Sequence, residues 1–367
     1  MSGGTMRVGV CGRKFPGAER LGPEGVLEAA ARLGHAGVFF RTLTDMSPDL
    51  DPGRLAALRA RADFDGLYLE AGLGKVNPYN ISEDSTVRAL GDGDHLLGMT
   101  RMIEAAASVG ITELWADTAN YQRHGWGLHA VDRFRTDVTW SEQLEAVRRY
   151  LTRLAPVLRA NGCRVNLETH EEITTHELVA LVEAVGPDAV GVTLDLANVV
   201  VRGEDPVAAT RRVAPYTHQT HMRDVVLAFT PEGMERQIRA CGDGVIDFAA
   251  VLGALAEHGA PERTLNLTIE NTMARDWNGI ALHDPRWQAA HPELGLSDVL
   301  ELVRLCDLSE RRMRSGAAPD LDSYYPREPH EQWALDFIRR SADHLTAVQQ
   351  ESPDSAEHTE PLTEETL

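Results

Sequence analysis

Glu168, Asp195, His221 and Glu270 each close a short strand-like run: Arg164–Glu168, Gly191–Asp195, Thr217–His221 and Leu265–Glu270. Side chains alternate across a strand. Asn166, Glu168 and His170 therefore share one face, as do Thr193, Asp195 and Ala197, then Gln219 and His221, then Asn266, Thr268 and Glu270. If these faces look into one interior, three carboxylates and one imidazole converge. Burying a carboxylate is costly unless it is paired or metal-bound, and one divalent ion is the simplest countercharge. An oxygen-rich set with one nitrogen suits Mn²⁺ first, with Mg²⁺, Co²⁺ and Zn²⁺ as alternatives.

The rest of the chain reads as the frame for these positions. Four further strand-like runs precede them: Arg7–Cys11, Gly37–Arg41, Gly66–Glu70 and Glu113–Asp117. Amphipathic stretches fall between and after the runs, at Pro23–Leu33, Pro52–Arg61, His95–Ser108, Trp140–Ala160, Thr175–Val185, Pro206–Val213, Phe248–His258 and Leu296–Leu305. Eight strand–helix repeats favour a closed α/β architecture, a (β/α)₈ TIM barrel, over an open doubly wound sheet. The barrel is expected over residues 1–314, followed by a linker and C-terminal helix (315–350) and a disordered acidic tail (351–367). Strand-end position also makes Glu70 and Asp117 candidates for lining the mouth, with His170 beyond Glu168 as a substrate contact. The polar segments Asn77–Asp94, Asn120–Asp137 (with His124, Trp126 and His129) and Met273–His291 are expected to cover it.

The formal net charge of −20 repels phosphate backbones and anionic membrane surfaces, and no dense Lys/Arg run offsets it. Neither a nucleic acid nor a membrane is expected as a partner. Met1–Arg7 lacks the make-up of a signal peptide. Cys11, Cys163, Cys241 and Cys306 form no CxxC pair, which fits free thiols in a reducing cytoplasm. The helix near Trp333 and the loops bearing Trp277 and Trp287 leave room for a homo-oligomer.

The runs NLETHE (166–171), TLDLAN (193–198), HMRD (221–224), GDGVIDF (242–248) and TIEN (268–271) resemble the xylose isomerase-like barrel superfamily, which holds sugar and sugar-phosphate isomerases and epimerases. The resemblance covers roughly Met6 to Leu308. It implies that Glu168, Asp195, His221 and Glu270 bind one metal ion, and that Glu168 and Glu270 move the substrate proton through an enediolate. Arg223 matches a position near substrate oxygens. Asn198 stands where many relatives carry a substrate-binding His; an amide binds hydroxyls but transfers no proton. Asp224 is the candidate for a second ion. The implied activity is isomerisation or epimerisation of a small sugar or related polyol. The alternative is a metal-dependent lyase or dehydratase on the same fold. An apurinic-site endonuclease would need more His ligands and a basic groove, and a scaffold would not need the ligand set.

Overall fold

The computed structural model describes residues 5–80, 84–119, 132–260 and 263–351. His124, Trp126, His129 and nearly all of the expected acidic tail lie outside the described residues. Eleven strands are present among those described: β1 (Met6–Cys11), β2 (Gly37–Phe40), β3 (Tyr68–Lys75), β4 (Glu113–Asp117), β5 (Arg164–Glu168), β6 (Val190–Asp195), β7 (Thr217–Met222), β8 (Asp224–Thr230), β9 (Gly233–Arg239), β10 (Leu265–Ile269) and β11 (Trp277–Ile280). Eight of them close a barrel in the order β1-β10-β7-β6-β5-β4-β3-β2, and every pairing around it is parallel. The expected (β/α)₈ barrel is the fold.

Helices return the chain between strands, and their starts are written in the sequence. Thr139 with Glu142 and Thr174 with Glu177 form capping boxes at Trp140–Ala160 and Thr175–Val185. Asp94, Asp205 and Asp247 cap His95–Ser108, Pro206–Val213 and Phe248–His258. Leucine, valine and alanine from these helices and from the outward faces of the strands make one continuous core.

Two features depart from a plain eightfold repeat. First, β8, β9 and β11 form a separate antiparallel sheet that follows directly on β7, backed by helix Leu296–Arg314. Leu227 N–H donates to Ser309 Oγ of that helix at 3.1 Å. Second, helix Glu331–Glu351 packs on β1, β10 and helix Phe248–His258, burying Ala334, Phe337, Ile338 and Leu345. The C-terminal helix thus covers the barrel wall between the last and first strands. It also pins the loop beside the site: Cys241 N–H donates to Ser341 Oγ at 3.0 Å, and Ala240 N–H to the Tyr324 hydroxyl at 2.9 Å. Trp333 lies against Tyr325 and Phe337 (ring centroids 5.0 and 5.7 Å), and Trp287 is buried on His291 at 3.9 Å. Trp287 is therefore buried within the chain and Trp333 partly so, whereas Trp277 remains exposed. No helix among the described residues is long and apolar enough to cross a membrane, and all four cysteines are buried and free.

Two histidines tie stability to pH. His291 Nε2 sits 2.9 Å from the buried Arg202 guanidinium, and burial followed by Arg202 and Arg133 pushes its pKa down to about 2. Burial, Arg164 and Arg263 do the same to His218, also to about 2. Both values lie below the unfolded value of 6.5, so on acidification the unfolded chain takes up protons that the folded chain refuses. The stabilisation they give is present above pH 6.5 and is lost as pH falls below it. Each histidine contributes a slope approaching about 1.4 kcal/mol per pH unit. The double variant His218→Gln/His291→Gln is expected to flatten the fall in unfolding free energy between neutral and mildly acidic pH. Denaturant titrations of both proteins that gave parallel pH curves would overturn this account.

Candidate metal centre

The barrel registers bring the four strand-end residues to one place. Glu168 pairs with Thr193, Asp195 with His221, and His221 with Thr268, two residues before Glu270. One ligand atom from each of Glu168, Asp195, His221 and Glu270 lies within 4.8 Å of all the others, at the carboxyl mouth. The first three are buried. Glu168 and Glu270 end the arc, with His221 and Asp195 between them. Three carboxylates and an imidazole at this spacing fit a single divalent cation.

The surrounding groups hold the acids in charged, oriented form. The Trp115 indole N–H donates to Glu168 Oε2 at 3.0 Å, His221 Nδ1 lies 3.1 Å from Glu168 Oε1, and the Asn198 amide donates to the same oxygen at 3.4 Å. Burial opposes ionisation of Glu168, but the imidazole outweighs it and draws the carboxyl below its usual range, while His221 is raised in return. Arg223 donates to Asp195 through Nη2 and through Nε (3.2 Å), and its Nη1 lies 3.3 Å from Glu270 Oε2. Lys14 Nζ approaches the other Glu270 oxygen at 2.8 Å. Burial raises Glu270, yet Arg223 and Lys14 hold it well below the normal range. Asp195 is pushed up to about 6 by burial, with Glu168 and Glu270 adding to it against Arg223. Of the three acids, Asp195 thus holds its charge least readily.

The structure therefore brings Glu168, Asp195, His221, Glu270, Asn198 and Arg223 together. His170 and Asp117 lie at the rim. His170 Nδ1 is 2.6 Å from Glu172 Oε2; burial disfavours its charge, but Glu172, then Glu168 and Asp117, raise its pKa to about 10. Asp117 accepts from Arg41 Nη2 at 3.0 Å.

Two expectations are corrected by geometry. Glu70 does not end its strand: β3 runs on to Lys75. Glu70 instead accepts from Asn266 Nδ2 at 2.7 Å and lines a cavity of about 490 Å³ at the amino-terminal face with Arg7, Glu113 and Asn266. It faces away from the mouth. Asp224 is no ion ligand here, because its oxygens accept the backbone N–H groups of Val225, Gly242, Gly244 and Ile246 at 2.8–3.0 Å. His218 also departs from regular strand parity. A register shift between β6 and β7 turns it toward Arg164 (2.8 Å) and Glu113 at the lower mouth.

Lys14, Arg41 and the indole N–H of Trp115 went unread in the sequence. Trp115 and Arg41 carried a signal, since each shares strand parity with an inward neighbour, Asp117 and Phe39. Lys14 carried little, being a loop residue three positions beyond β1.

Comparison with known proteins agrees with this layout. Over 202 residues, 55% of this chain, it is 24% identical to the uncharacterized protein YihM of Escherichia coli (strain K12), of whose length the match spans 61%. It is 26% identical over 255 residues, 69% of this chain and 78% of the relative, to a 3-oxo-isoapionate decarboxylase of Pectobacterium atrosepticum. Among solved structures, D-psicose 3-epimerase with D-tagatose from Clostridium cellulolyticum H10 superposes with a TM-score of 0.54 at 18% identity, covering 83% of this chain and 99% of that one. At that identity the likeness is one of fold. The model of the xylose isomerase-like TIM barrel family matches residues 27–291, from within the first barrel helix to beyond the last barrel strand and so across the three clustered acids and the imidazole, and the chain belongs to that family.

Proposed function

We propose that this protein is a divalent-metal-dependent isomerase or epimerase of a small sugar or related polyol. The observation that carries the reading is the set of four ligand atoms within 4.8 Å of one another, with the two glutamates at opposite ends of the arc. Glu168, Asp195, His221 and Glu270 would hold the ion, with Mn²⁺ favoured over Mg²⁺, Co²⁺ and Zn²⁺. When bound, the ion supplies Lewis acidity to adjacent hydroxyl and carbonyl oxygens of the substrate. Glu168 and Glu270 bracket the substrate carbon: one takes the proton beside the carbonyl and the other returns it, to the neighbouring carbon in isomerisation or to the opposite face in epimerisation. Asn198 orients substrate oxygens, Arg223 holds Asp195 and Glu270 in place beside them, and His170 and Asp117 bind hydroxyls at the rim. A soluble, cytoplasmic setting fits the free buried thiols.

A lyase is the second reading, favoured by the match to the decarboxylase. The same enediolate arises whether the bond broken beside the carbonyl is to hydrogen or to a carboxylate carbon. Incubating Mn²⁺-loaded protein with ketoses in D₂O is expected to wash deuterium into the carbon beside the carbonyl, and chelation is expected to stop it. Absence of exchange with every ketose, together with release of CO₂ or water from a keto acid or keto-polyol, would replace the isomerase by the lyase.

A further inference from the structure

The charge around the centre exceeds what a neutral polyol needs. Glu168, Asp195 and Glu270 bring three negative charges; Lys14 and Arg223, in contact with two of them, bring two positive ones. A divalent ion in the proposed site, with His221 neutral as its ligand, therefore leaves one net positive charge. Among the described residues, two nearby cations are paired. Arg41 is matched by Asp117, and His170 by Glu172. Farther out, Arg236 touches two acids, Glu171 and Asp276. Cys11, buried beside Lys14, is an un-ionised thiol, its pKa pushed up to about 11 by burial and by Glu270.

The two cations differ in what they can still reach. The Arg223 side chain is 7% exposed and spends Nε, Nη1 and Nη2 on Asp195 and Glu270. The Lys14 side chain is 40% exposed and, among the described residues, directs its ammonium at Glu270 alone. An ammonium has three N–H donors, so two remain for the open side of the mouth. A solvent-facing ammonium with two spare donors favours an anionic group on the substrate, and charge-assisted contacts to it are strong.

We propose that the substrate of this site carries a carboxylate, and that Lys14 receives it. The substrate class is then a keto sugar acid rather than a neutral ketose or a sugar phosphate; a phosphate dianion would overshoot the single positive charge. This inference rests on the metal-dependent reading above.

The test is calorimetric titration of the Mg²⁺-loaded full chain with three probes: a ketohexose, the ketohexuronate that differs from it by one carboxylate in place of a terminal CH₂OH, and the ketohexose phosphate. The uronate is expected to bind on the order of tenfold or more tighter than the ketose, the size of a charge-assisted hydrogen bond. Lys14→Gln is expected to erase that preference and Lys14→Arg to retain it. Equal binding of uronate and ketose, tighter binding of the phosphate, a preference that survives Lys14→Gln, or no binding of any probe would each overturn the proposal. Deuterium exchange on the same probes separates the two readings. Lys14-dependent uronate binding without exchange sustains the carboxylate site and removes the isomerase. Exchange into the neutral ketose without uronate preference does the reverse.

Discussion

Glu168→Gln is expected to lower kcat of the Mn²⁺-saturated protein by about 10²–10⁴-fold, the usual contribution of a positioned general acid–base group. The substitution removes the charge and the proton-accepting oxygen while conserving shape. Its amide oxygen still accepts the Trp115 N–H, which now reaches Glu168 Oε2 at 3.0 Å. Its NH₂ group is less welcome. It replaces the oxygen that faces His221 Nδ1 at 3.1 Å and receives the Asn198 amide at 3.4 Å, so two donors meet where one donor met an acceptor. Metal affinity should fall as well, because a neutral amide oxygen is a poorer ligand for a hard cation than a carboxylate. Measuring kcat at saturating Mn²⁺ and metal affinity separately distinguishes the two losses. If the loss is all in affinity and kcat recovers at high Mn²⁺, Glu168 is a ligand and not a proton carrier. If neither changes, the metal centre is misassigned.

The mirror substitution, Glu270→Gln, probes the other end of the arc and has a different signature. Both oxygens of Glu270 face cations, Lys14 and Arg223. Neutralising it leaves those cations short of one carboxylate, so the variant should strengthen the mouth's attraction for anions even as it loses proton transfer.

The clustered four are legible because each lies at or within one residue of the carboxyl end of a short strand. Parity then carries each side chain inward without further information. Gly72 and Gly74 interrupt the apolar pattern after Glu70, yet the strand continues through a register shift between those glycines to Lys75. A Cβ at Gly72 would lie 2.2 Å from the Arg41 carbonyl, so the glycine reports close strand approach rather than a strand end. The β8–β9 hairpin was passed over although its sequence is regular. Pro231–Glu232–Gly233 between DVVLAF and MERQIR is a turn signal, and Gly233 adopts φ 147 in the structure. It was obscured because a barrel repeat predicts a helix after β7. Lys14 was out of reach for a different reason: a loop side chain has no periodicity, and its direction is set by long-range contact with Glu270, 256 positions away by subtraction of the two residue numbers.

Asp224→Ala is expected to destabilise the fold by about 3–5 kcal/mol, the range for breaking a buried polar network, without lowering the number of ions bound per chain. The carboxylate is saturated: Oδ1 accepts from Val225 and Ile246, and Oδ2 from Gly242 and Gly244. Two N–H groups on each oxygen use its lone pairs and leave none for a cation. Alanine strands all four donors in a buried loop that leads into helix Phe248–His258 and is held from the other side by Tyr324 and Ser341. Asparagine keeps one acceptor oxygen and turns an NH₂ toward the other two N–H groups, so it should cost roughly half as much on the same scale. Gly244→Ala attacks the same junction sterically, since its Cβ would lie 2.2 Å from Asp224 Oδ1. A second-ion role predicts the opposite pattern, with lost metal stoichiometry and little change in the metal-free protein. Chemical denaturation of chelated protein, with metal analysis of the reloaded variant, tells them apart, because a structural carboxylate is missed most when no metal is present to compensate.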